Sequence, residues 1–449
     1  MKPALAVVCL HASKAHLFRN TPNPTPLIFS NAVQKSHPRN LLKIGQVVDV
    51  VVNHPKHDNQ TELVGWGVYN PHSLYRVRLL GKKNDQHRDL ATLVQERLSA
   101  AAQKRAALGL PSDTTDAYRL VNSEGDGLSG LTVDILGEVA VALSSAVWLE
   151  QQRGPIIKAL LGLDGIQRVV WRRNDSRLKL DGWQSSNDCA TSSTSDADDA
   201  EDQVPPEYEA RGAVSKVNDS QETSLDEEHI IVRENNLLFS VQPKRGQKSG
   251  YYVDQRDNRQ LVRSISRGRH VLDLFCFSGG FSLAAAAGGA KSCEGVESSA
   301  AAVELARSNA KMNNFDSICH FHKEDCFKWL KTEVSSSRRY DLVVCDPPKY
   351  APSAKDLRRA TNKYRQLNAL AMSVTSPGGL LLTCTCSAAM SVSQGGGLQG
   401  GFVRLLGEAA RLAGREYSVV GVSGSSSDHV LHPGMLESDY LLAVLLHVN

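Results

Sequence analysis

The sequence predicts an α/β protein in which an open parallel sheet follows a small β-rich domain and a mixed α+β middle region. Residues 271–287 read as strand, glycine turn and helix, and the strand-then-helix alternation continues after them. Residues before the middle region carry short alternating strands instead. We expect domain boundaries that give the segments 1–84, 85–236 and 237–449.

Composition narrows the class of protein. The chain has 449 residues, 41% hydrophobic and 22% charged, which suits two to four folded domains with sizeable cores. Its longest apolar runs are too short to span a bilayer, so no membrane role is expected. Nine cysteines occur without a Cys-x-x-Cys pair or zinc-like spacing, which favours a reducing compartment and no structural metal.

The overall charge of +3 conceals an acidic segment. Residues 184–228 hold 13 acidic and 2 basic residues, a net −11, which leaves +14 on the rest of the chain. A basic body suits a protein that binds a polyanion, although the basic residues are spread and can also be simple solvating charge. We predict that 184–228 is a disordered or loosely held surface insertion.

The first domain is predicted from three strands, at residues 45–52, 62–69 and 75–80. Exposed Arg76 and Arg78 on the third strand suit a small barrel that contacts RNA, or else a structural appendage.

The start of the chain allows two interpretations. No acidic residue precedes Asp49, which is typical of an organellar transit peptide. Residues 4–10, however, already have the pattern of a strand, so a folded domain can begin there.

In the middle region, residues 118–134 form a strand, a glycine-rich acidic loop and a second strand. Glu124 and Asp126 in the loop could ligate a metal. We favour a tight turn with capping carboxylates, because no further ligands follow at regular spacing. Helices are expected at 86–109 and 150–161.

The sheet domain is organised around its first strand and turn. Val271, Leu272 and Leu274 form a buried-strand pattern that contains Asp273, a carboxylate that is costly to bury without a partner. The turn Ser278-Gly279-Gly280 then lets backbone approach a nucleotide-like ligand. The stretch is neither a Gly-x-Gly-x-x-Gly fingerprint nor a phosphate-binding P-loop.

Two more carboxylates follow the next strands. Glu297 ends the strand after Asp273 and can bind a ribose diol, and Asp325 follows a third strand, where it can accept from an adenine amine. Each alone is more often a cap or turn residue. Together they predict a site for an adenosine moiety.

The sharpest motif is Asp346-Pro347-Pro348, at the end of a further apolar strand. The prolines stiffen the turn and hold Asp346 as a fixed acceptor for the amine edge of a flat heterocycle. Cys384 and Cys386 end the next strand with alternating direction, so one should enter the packing and the other should face the ligand. A thiol there can act as a nucleophile, although both can also be core residues.

A polar and aromatic segment precedes the sheet domain. Tyr251 and Tyr252 lead into a helix that we expect to start at Gln255. This segment can close over a ligand in the crevice, or it is a helix start with local salt bridges.

With these residues in place, the sequence resembles class I S-adenosylmethionine-dependent methyltransferases, and specifically the large-subunit rRNA cytosine-5 methyltransferases. That resemblance implies a Rossmann-like catalytic domain preceded by a PUA-like barrel and an EEHD-like α+β domain. It extends over nearly the whole chain and rests on Tyr118–Asp134, Lys248–Arg259, Val271–Phe281, Asp346–Tyr350, Thr383–Ser387, His432-Pro433 and Glu437–Tyr440.

The resemblance also implies roles for single residues. Cys386 is expected to be the nucleophile and Asp346 to bind the cytosine. The residues implied for S-adenosylmethionine are Tyr252, Gln255, Asp273, Phe275, Ser278, Gly279, Gly280, Glu297 and Asp325. Those implied for the RNA substrate are Arg256, Pro347, Lys349 and Tyr350.

The expected activity is methyl transfer to carbon 5 of a cytosine in large-subunit rRNA. Alternatives are an amine or ring-nitrogen RNA methyltransferase without a covalent step, and a non-catalytic RNA-binding protein. A homodimer is possible. The acidic insertion is unlike compact bacterial members, so we expect the cytoplasm for a bacterial protein and a chloroplast or mitochondrion for a eukaryotic one.

Overall fold

The computed structural model describes residues 6–18, 23–37, 42–54, 57–83, 85, 89–183, 206–211, 229–244, 250–350, 357–387, 401–435 and 438–449. Within them the chain forms three sheets and one separate hairpin. Lys248, Ser249 and Glu437 of the resembling segments lie outside the described residues. No helix in the described part of the chain has both the length and the apolar character needed to cross a membrane.

The first sheet has six strands in the order β2-β6-β5-β4-β1-β3. They are β1 (Val7–Leu10), β2 (Leu27–Phe29), β3 (Val33–His37), β4 (Gln46–His54), β5 (His57–Tyr69) and β6 (Tyr75–Lys82). All three predicted strands are present. Strand β1 pairs on both sides, with β3 and β4, in agreement with the interpretation that a folded domain begins there.

The middle unit has a five-stranded sheet in the order β11-β10-β9-β8-β7. Its elements are α1 (Leu90–Ala107), β7 (Ala117–Asn122), β8 (Leu131–Leu136), β9 (Val139–Ser144), α2 (Val147–Gln151), α3 (Arg153–Leu161), β10 (Arg168–Arg173), α4 (Asp175–Leu180) and β11 (Pro206–Arg211). The helix expected at 150–161 is interrupted at Gln152, where α2 ends and α3 begins.

The structure differs from two expectations: the disorder predicted for 184–228, of which it describes only residues 206–211, and the exposure of Arg78 on the first sheet. Strand β11 lies inside the predicted disordered insertion and pairs antiparallel with β10, with Trp171 opposite Tyr208. A short edge strand takes its backbone partners from the sheet, so the polar average of a long window does not reveal it. Arg78 is not exposed either: it is buried and donates from Nη1 to Ser129 Oγ at 2.8 Å, because the middle unit covers that face.

A hairpin joins the middle unit to the sheet domain. It consists of β12 (Ile230–Glu234) and β13 (Leu237–Val241), so the boundary expected after residue 236 falls inside it. Its β13 strand binds the next domain, since the Ser240 amide donates to Asn309 Oδ1 at 2.9 Å.

The third sheet has seven strands in the order β16-β15-β14-β17-β18-β20-β19. Its elements are α5 (Arg256–Ile265), β14 (His270–Leu274), α6 (Gly280–Ala287), β15 (Ser292–Glu297), α7 (Ala300–Met312), β16 (Cys319–Lys323), α8 (Cys326–Ser335), β17 (Tyr340–Cys345), α9 (Leu357–Val374), β18 (Thr375–Thr385), α10 (Gly401–Ala413), β19 (Tyr417–Ser423) and β20 (Leu442–Val448). Strands β14–β18 are parallel, and β20 is antiparallel to both of its neighbours. This is the predicted Rossmann-like α/β sheet.

The units share their hydrophobic cores. One cluster contains Val170 of the middle sheet, Phe239 of the hairpin and Val271 of the third sheet. Another contains Trp66 of the first sheet together with Leu98 of α1. Burial of apolar side chains from two units in one cluster opposes their separation.

A buried network of polar side chains connects the middle unit to the segment before β20. Arg105 donates through two nitrogens to the Asp126 carboxylate, at 2.6 and 2.8 Å, and also to the carbonyl of Asp428 at 2.6 Å. Asp126 therefore serves the loop as an ion-pair partner, which agrees with the interpretation of a turn with engaged carboxylates. Among the described residues, no group of three or more metal-ligating side chains is placed to hold an ion.

Breaking this network should cost stability. In Arg105→Met, the Asp126 carboxylate stays buried without its main partner, so we expect the free energy of unfolding to fall by about 3–5 kcal/mol. Lys104→Met is the matched control, because Lys104 also pairs with Asp126 at 3.0 Å but its side chain is 44% exposed. We expect the control to lose less than about 1 kcal/mol. Urea unfolding followed by tryptophan fluorescence measures both, and equal small losses would contradict the importance of the buried pair.

Candidate active site

The candidate site lies at the carboxyl ends of β14–β18. The strand order reverses between β14 and β17, which is where an open α/β sheet leaves a crevice for a ligand. Asp273, Glu297, Asp346 and Cys386 lie in or directly after four of these parallel strands. The topology therefore brings together residues that are far apart in the sequence.

Asp273 lies inside β14 and is almost completely buried. Its Oδ2 accepts from the amide and the hydroxyl of Ser282, at 2.9 and 2.7 Å, and so binds the first turn of α6. Its Oδ1 is buried and has no hydrogen-bond partner among the described residues. Burial raises the pKa of Asp273 to about 7, although the Ser282 hydrogen bonds oppose this; the nearby carboxylates of Asp346 and Glu297 add to the rise.

The turn after β14 has an unusual backbone. Phe275, Phe277 and Gly279 have φ angles of 61°, 44° and 81°, in the left-handed region. At Gly279 a Cβ atom would also lie 2.9 Å from the ring of Phe321. Both the positive φ and the close approach of Phe321 therefore favour glycine at this position. Ser278 and Gly280 on either side are buried, and the Ser278 carbonyl accepts from Asn309 at 3.0 Å.

Glu297 and Asp325 lie beside this turn. The Glu297 carboxylate is half-buried and accepts from the amides of Ser299, at 2.9 Å, and Phe277, at 3.3 Å. Asp325 is exposed and caps α8, accepting from the Lys328 amide at 2.9 Å. Each carboxylate thus accepts hydrogen bonds from nearby backbone amides, as single carboxylates after strands commonly do. Both lie in the region where the adenosine moiety was predicted to bind.

Tyr252 forms a wall of the crevice. Its ring meets that of Phe277 edge to face, with centroids 5.2 Å apart. Tyr252 thus packs against the turn that follows β14.

Asp346 is held by a chain of side-chain hydrogen bonds. Gln255 is buried and donates from Nε2 to Asp346 Oδ2 at 3.0 Å. Asn258 donates to Gln255 Oε1 at 2.6 Å, and the Ser423 hydroxyl donates to Asn258 Oδ1 at 2.6 Å. Gln255 thus contacts the predicted substrate-binding residue, although the resemblance had implied it for the cofactor. Asn258 and Ser423 were not predicted; the i, i+3 spacing of Gln255 and Asn258 on α5 was the available signal.

The expectation that strand alternation separates Cys384 from Cys386 is wrong, because residues two apart in a strand face the same side. Their burial differs because Cys386 lies outside the strand. Cys384 is fully buried, whereas Cys386 is half-buried and lies just beyond the last residue of β18. Cys345 pairs with Thr383 across β17 and β18, so Asp346 and Cys386 leave neighbouring strands at the same edge. The eight cysteines that the structure describes form no disulfides.

The residues that the resemblance implied for the RNA substrate differ in their exposure to solvent. Pro347 is buried and Lys349 is exposed. The ring of Tyr350 packs on Tyr364, with centroids 4.9 Å apart, and the Lys363 ammonium lies 4.0 Å from its centroid. Tyr350 is therefore engaged in packing more than in lining the crevice, and burial raises the pKa of its hydroxyl.

Arg256 requires a correction. It is buried, and its Nη1 donates to Asp428 Oδ2 at 2.7 Å, so its guanidinium is not presented to a substrate. The resemblance implied a substrate contact for Arg256, but its partner in the fold lies 172 residues away in the chain. Local pattern cannot reveal such a pair.

These features fit a nucleoside cofactor with a positively charged group. A buried carboxylate oxygen without a partner, a turn in which a Cβ would clash, and acceptors after the next two strands match the methionine, ribose and adenine parts of S-adenosylmethionine.

Comparison with known proteins agrees with this geometry. The family model for S-adenosylmethionine-dependent methyltransferases matches residues 217–395, and that for PUA-like domains matches residues 22–82. A chain crystallised with SAH has a TM-score of 0.74 at 19% identity, covering 98% of this chain and 99% of its own. A Streptococcus mutans chain has a TM-score of 0.72 at 19% identity, with the same coverage. At this identity, the two structures establish the fold.

Curated relatives match over almost the full length. Ribosomal RNA large subunit methyltransferase I of Erwinia tasmaniensis is 31% identical over 417 residues, 93% of each chain. The protein of that name from Pseudoalteromonas atlantica is 29% identical over 424 residues, 94% of this chain and 95% of its own. The cofactor of the domain is S-adenosylmethionine, and the chain belongs to the ribosomal RNA large subunit methyltransferase I family.

Proposed function

We propose that this protein transfers a methyl group from S-adenosylmethionine to carbon 5 of a cytosine in large-subunit rRNA, with Cys386 as the nucleophile. The observation that carries the proposal is the position of Cys386 and Asp346 after neighbouring strands, at the same edge of the sheet. Cys386 is half-buried there, whereas Cys384 is fully buried. The RNA substrate follows from the names of the curated relatives.

Cys386 would act first. Its thiolate adds to carbon 6 of the cytosine, forming a carbon–sulfur bond and moving the electrons of the 5,6 double bond to carbon 5. Bound S-adenosylmethionine supplies an electrophilic methyl group on a positively charged sulfur. Once carbon 5 carries the methyl, a base removes its hydrogen as a proton, the double bond re-forms, and Cys386 leaves.

Asp346 would accept a hydrogen bond from the amine edge of the cytosine and hold the ring in place for attack at carbon 6. Gln255 donates to Asp346 Oδ2 and so limits the orientations that this carboxylate can adopt. Because Asn258 and Ser423 hold Gln255 in turn, the acceptor is fixed before the substrate arrives.

The cofactor would lie across the turn after β14. We assign its methionine part to Asp273, Phe275 and the Ser278-Gly279-Gly280 backbone, with Tyr252 as a wall. Glu297 would take the ribose and Asp325 the adenine amine. Both keep carboxylate lone pairs beyond their capping bonds, since an ionised carboxylate offers about four acceptor positions.

Substitution of the two cysteines tests the covalent step. We expect Cys386→Ala to lower methyl transfer to rRNA by on the order of 10³-fold or more, because the nucleophile is lost. Cys384→Ala removes a buried thiol from the same strand and should keep most of the activity. With RNA carrying 5-fluorocytosine, carbon 5 cannot release its substituent, so the wild type and Cys384→Ala should form an adduct that survives denaturing gels.

Cys386→Ala should form no adduct. Undiminished transfer by this variant would replace the proposal with amine or ring-nitrogen methylation, which needs no covalent step. Mapping the methylated base by mass spectrometry of digested RNA identifies the product in either case.

Gln255→Met tests the positioning of Asp346. A hydrogen bond to a charged group is lost, so we expect kcat to fall about 10–100-fold while the affinity for S-adenosylmethionine changes little. Gln260→Met is the same substitution on the exposed side of α5 and should leave both values unchanged. Steady-state kinetics with varied cofactor separates the two constants, and a loss confined to cofactor affinity would contradict the positioning role.

Asp273 predicts a pH dependence of stability. Its folded-state pKa of about 7 lies above the usual 3.8, so the native state holds a proton that the unfolded state releases between these values. Its contribution is therefore fully present below pH 4 and is lost as the pH rises through 7. Relative to wild type, Asp273→Asn should gain up to about 4 kcal/mol in free energy of unfolding between pH 4 and pH 8.

Urea unfolding at several pH values measures this difference in the absence of cofactor. Asp316→Asn, at an exposed position, controls for the general loss of one carboxylate. A difference between Asp273→Asn and wild type that does not change with pH would show that Asp273 stays ionised in the fold.

A further inference from the structure

A second cleft lies away from the crevice, between the first sheet, the middle unit and the segment before β20. Its volume is about 300 Å³. It is lined by Leu27, Tyr75, Arg78, Ser123, Glu124, Gly130, Thr132, Leu143, Ser145, Asn174, Arg177 and Met435. None of these residues belongs to the methyl-transfer site described above.

The floor of the cleft is the glycine-rich acidic loop of the middle unit. Ser123 has a φ of 49° and its hydroxyl accepts from the Gly130 amide at 2.7 Å. Ser129 donates to Glu124 Oε1 at 2.7 Å and receives the guanidinium of Arg78 at 2.8 Å. The loop is thus held in one shape by its own bonds and by β6, and the methyl-transfer site makes no use of it.

One wall is aromatic. Tyr75 and Phe29 are paired across β6 and β2, and their rings meet edge to face with centroids 5.3 Å apart. Phe29 is 43% exposed, and Leu74 beside it is 62% exposed. Exposed aromatic surface next to a cleft is the kind of platform on which an unpaired nucleobase stacks.

The rim and the floor of the cleft carry both basic and acidic side chains. Arg177 is exposed on α4 at the rim. Arg78 at the floor lies 3.8 Å from Glu124 and 3.8 Å from Asp181, so its charge is balanced. Among the described residues that line the cleft, Arg177 is the other basic side chain, and it can meet an incoming phosphate. Glu124 retains carboxylate lone pairs that can accept from a base amine.

We propose that this cleft binds one unpaired nucleotide of the RNA substrate, with its base against Tyr75, which Phe29 supports from outside the cleft, and its phosphate at Arg177. The proposal rests on the proposed function, which supplies the RNA. The volume lies at the lower end of small-molecule sites, which suits one nucleotide and excludes a duplex. Recognition of RNA by splayed-out bases also favours an unpaired nucleotide over a helix.

Direct binding tests the cleft. The probe is a fluorescent single-stranded oligoribonucleotide of about a dozen nucleotides, the length scale of single-strand sites. Tyr75→Leu keeps apolar volume but removes the stacking ring, and we expect its Kd to rise about 5- to 100-fold. Tyr75→Phe keeps the ring and should stay within about twofold of wild type.

Arg177→Ala should lower the slope of log affinity against log salt by about 0.7, because one phosphate contact is lost. Lys179→Ala is the matched control, since Lys179 is exposed on the same helix but does not line the cleft. Arg177 is at the surface, so its removal should not disturb folding. In wild-type protein, a 4-thiouridine probe should cross-link to peptides containing residues 75, 123–130 or 174–177.

The proposal is overturned if Tyr75→Leu and Arg177→Ala bind the probe as wild type does, or if the cross-links map only elsewhere. Methyl transfer to rRNA by the same variants then still supports the proposed function. Failure of wild-type protein to methylate rRNA would instead contradict the proposed function, whatever the cross-links show.

Discussion

Asp428 lies where three parts of the chain meet, and each part contributes a hydrogen bond to it. Its carboxylate accepts from the backbone amide of Arg119 at 2.8 Å and from Arg256 at 2.7 Å, and its carbonyl accepts from Arg105 at 2.6 Å. Burial alone would raise its pKa, but the hydrogen bond and charge of His429 and the charge of Arg256 hold the pKa of Asp428 well below its usual range. A buried pair of this kind adds little net stability over apolar packing, yet removing one partner is costly. We infer that its contribution is to fix the middle unit against the start of α5.

The contact between Asp428 and Arg256 lies next to the candidate active site, because Gln255 precedes Arg256 in the chain. Arg256 holds Asp428, and the preceding Gln255 holds Asp346. Any rotation of α5 that broke the first contact would move the second, so the orientation of Asp346 is coupled to the packing of the middle unit. Preorganised acceptors are effective because they need not reorient when charge develops. The arrangement thus links the part of the chain that faces RNA in our proposal to the residue that would grip the cytosine.

Secondary structure could be predicted from the sequence wherever it depends on neighbouring residues. The strand expected at 75–80 is β6, Tyr75–Lys82, and the helix expected at 86–109 is α1, Leu90–Ala107, because alternating and 3.6-residue patterns are set by near neighbours. The difference in burial between Cys384 and Cys386 did not follow from strand alternation, which places residues two apart on one face; it arises because Cys386 lies just beyond the end of β18. What failed was long-range: Arg78 and Arg256 were expected at surfaces, and both are buried against partners from other units. Strand β11 failed for a related reason, since its order comes from the edge of β10 and not from its own composition.

The segment from Ser423 to Met435 connects the two sites that we propose. At one end the Ser423 hydroxyl supports Asn258 and so Asp346, in the middle Asp428 binds Arg256, and at the other end Met435 lines the second cleft. A dozen residues span at most about 40 Å even when fully extended. An RNA strand that places a cytosine at Asp346 and another nucleotide in the cleft must therefore bring the two within that distance. A compact, partly unpaired region of folded RNA meets this requirement.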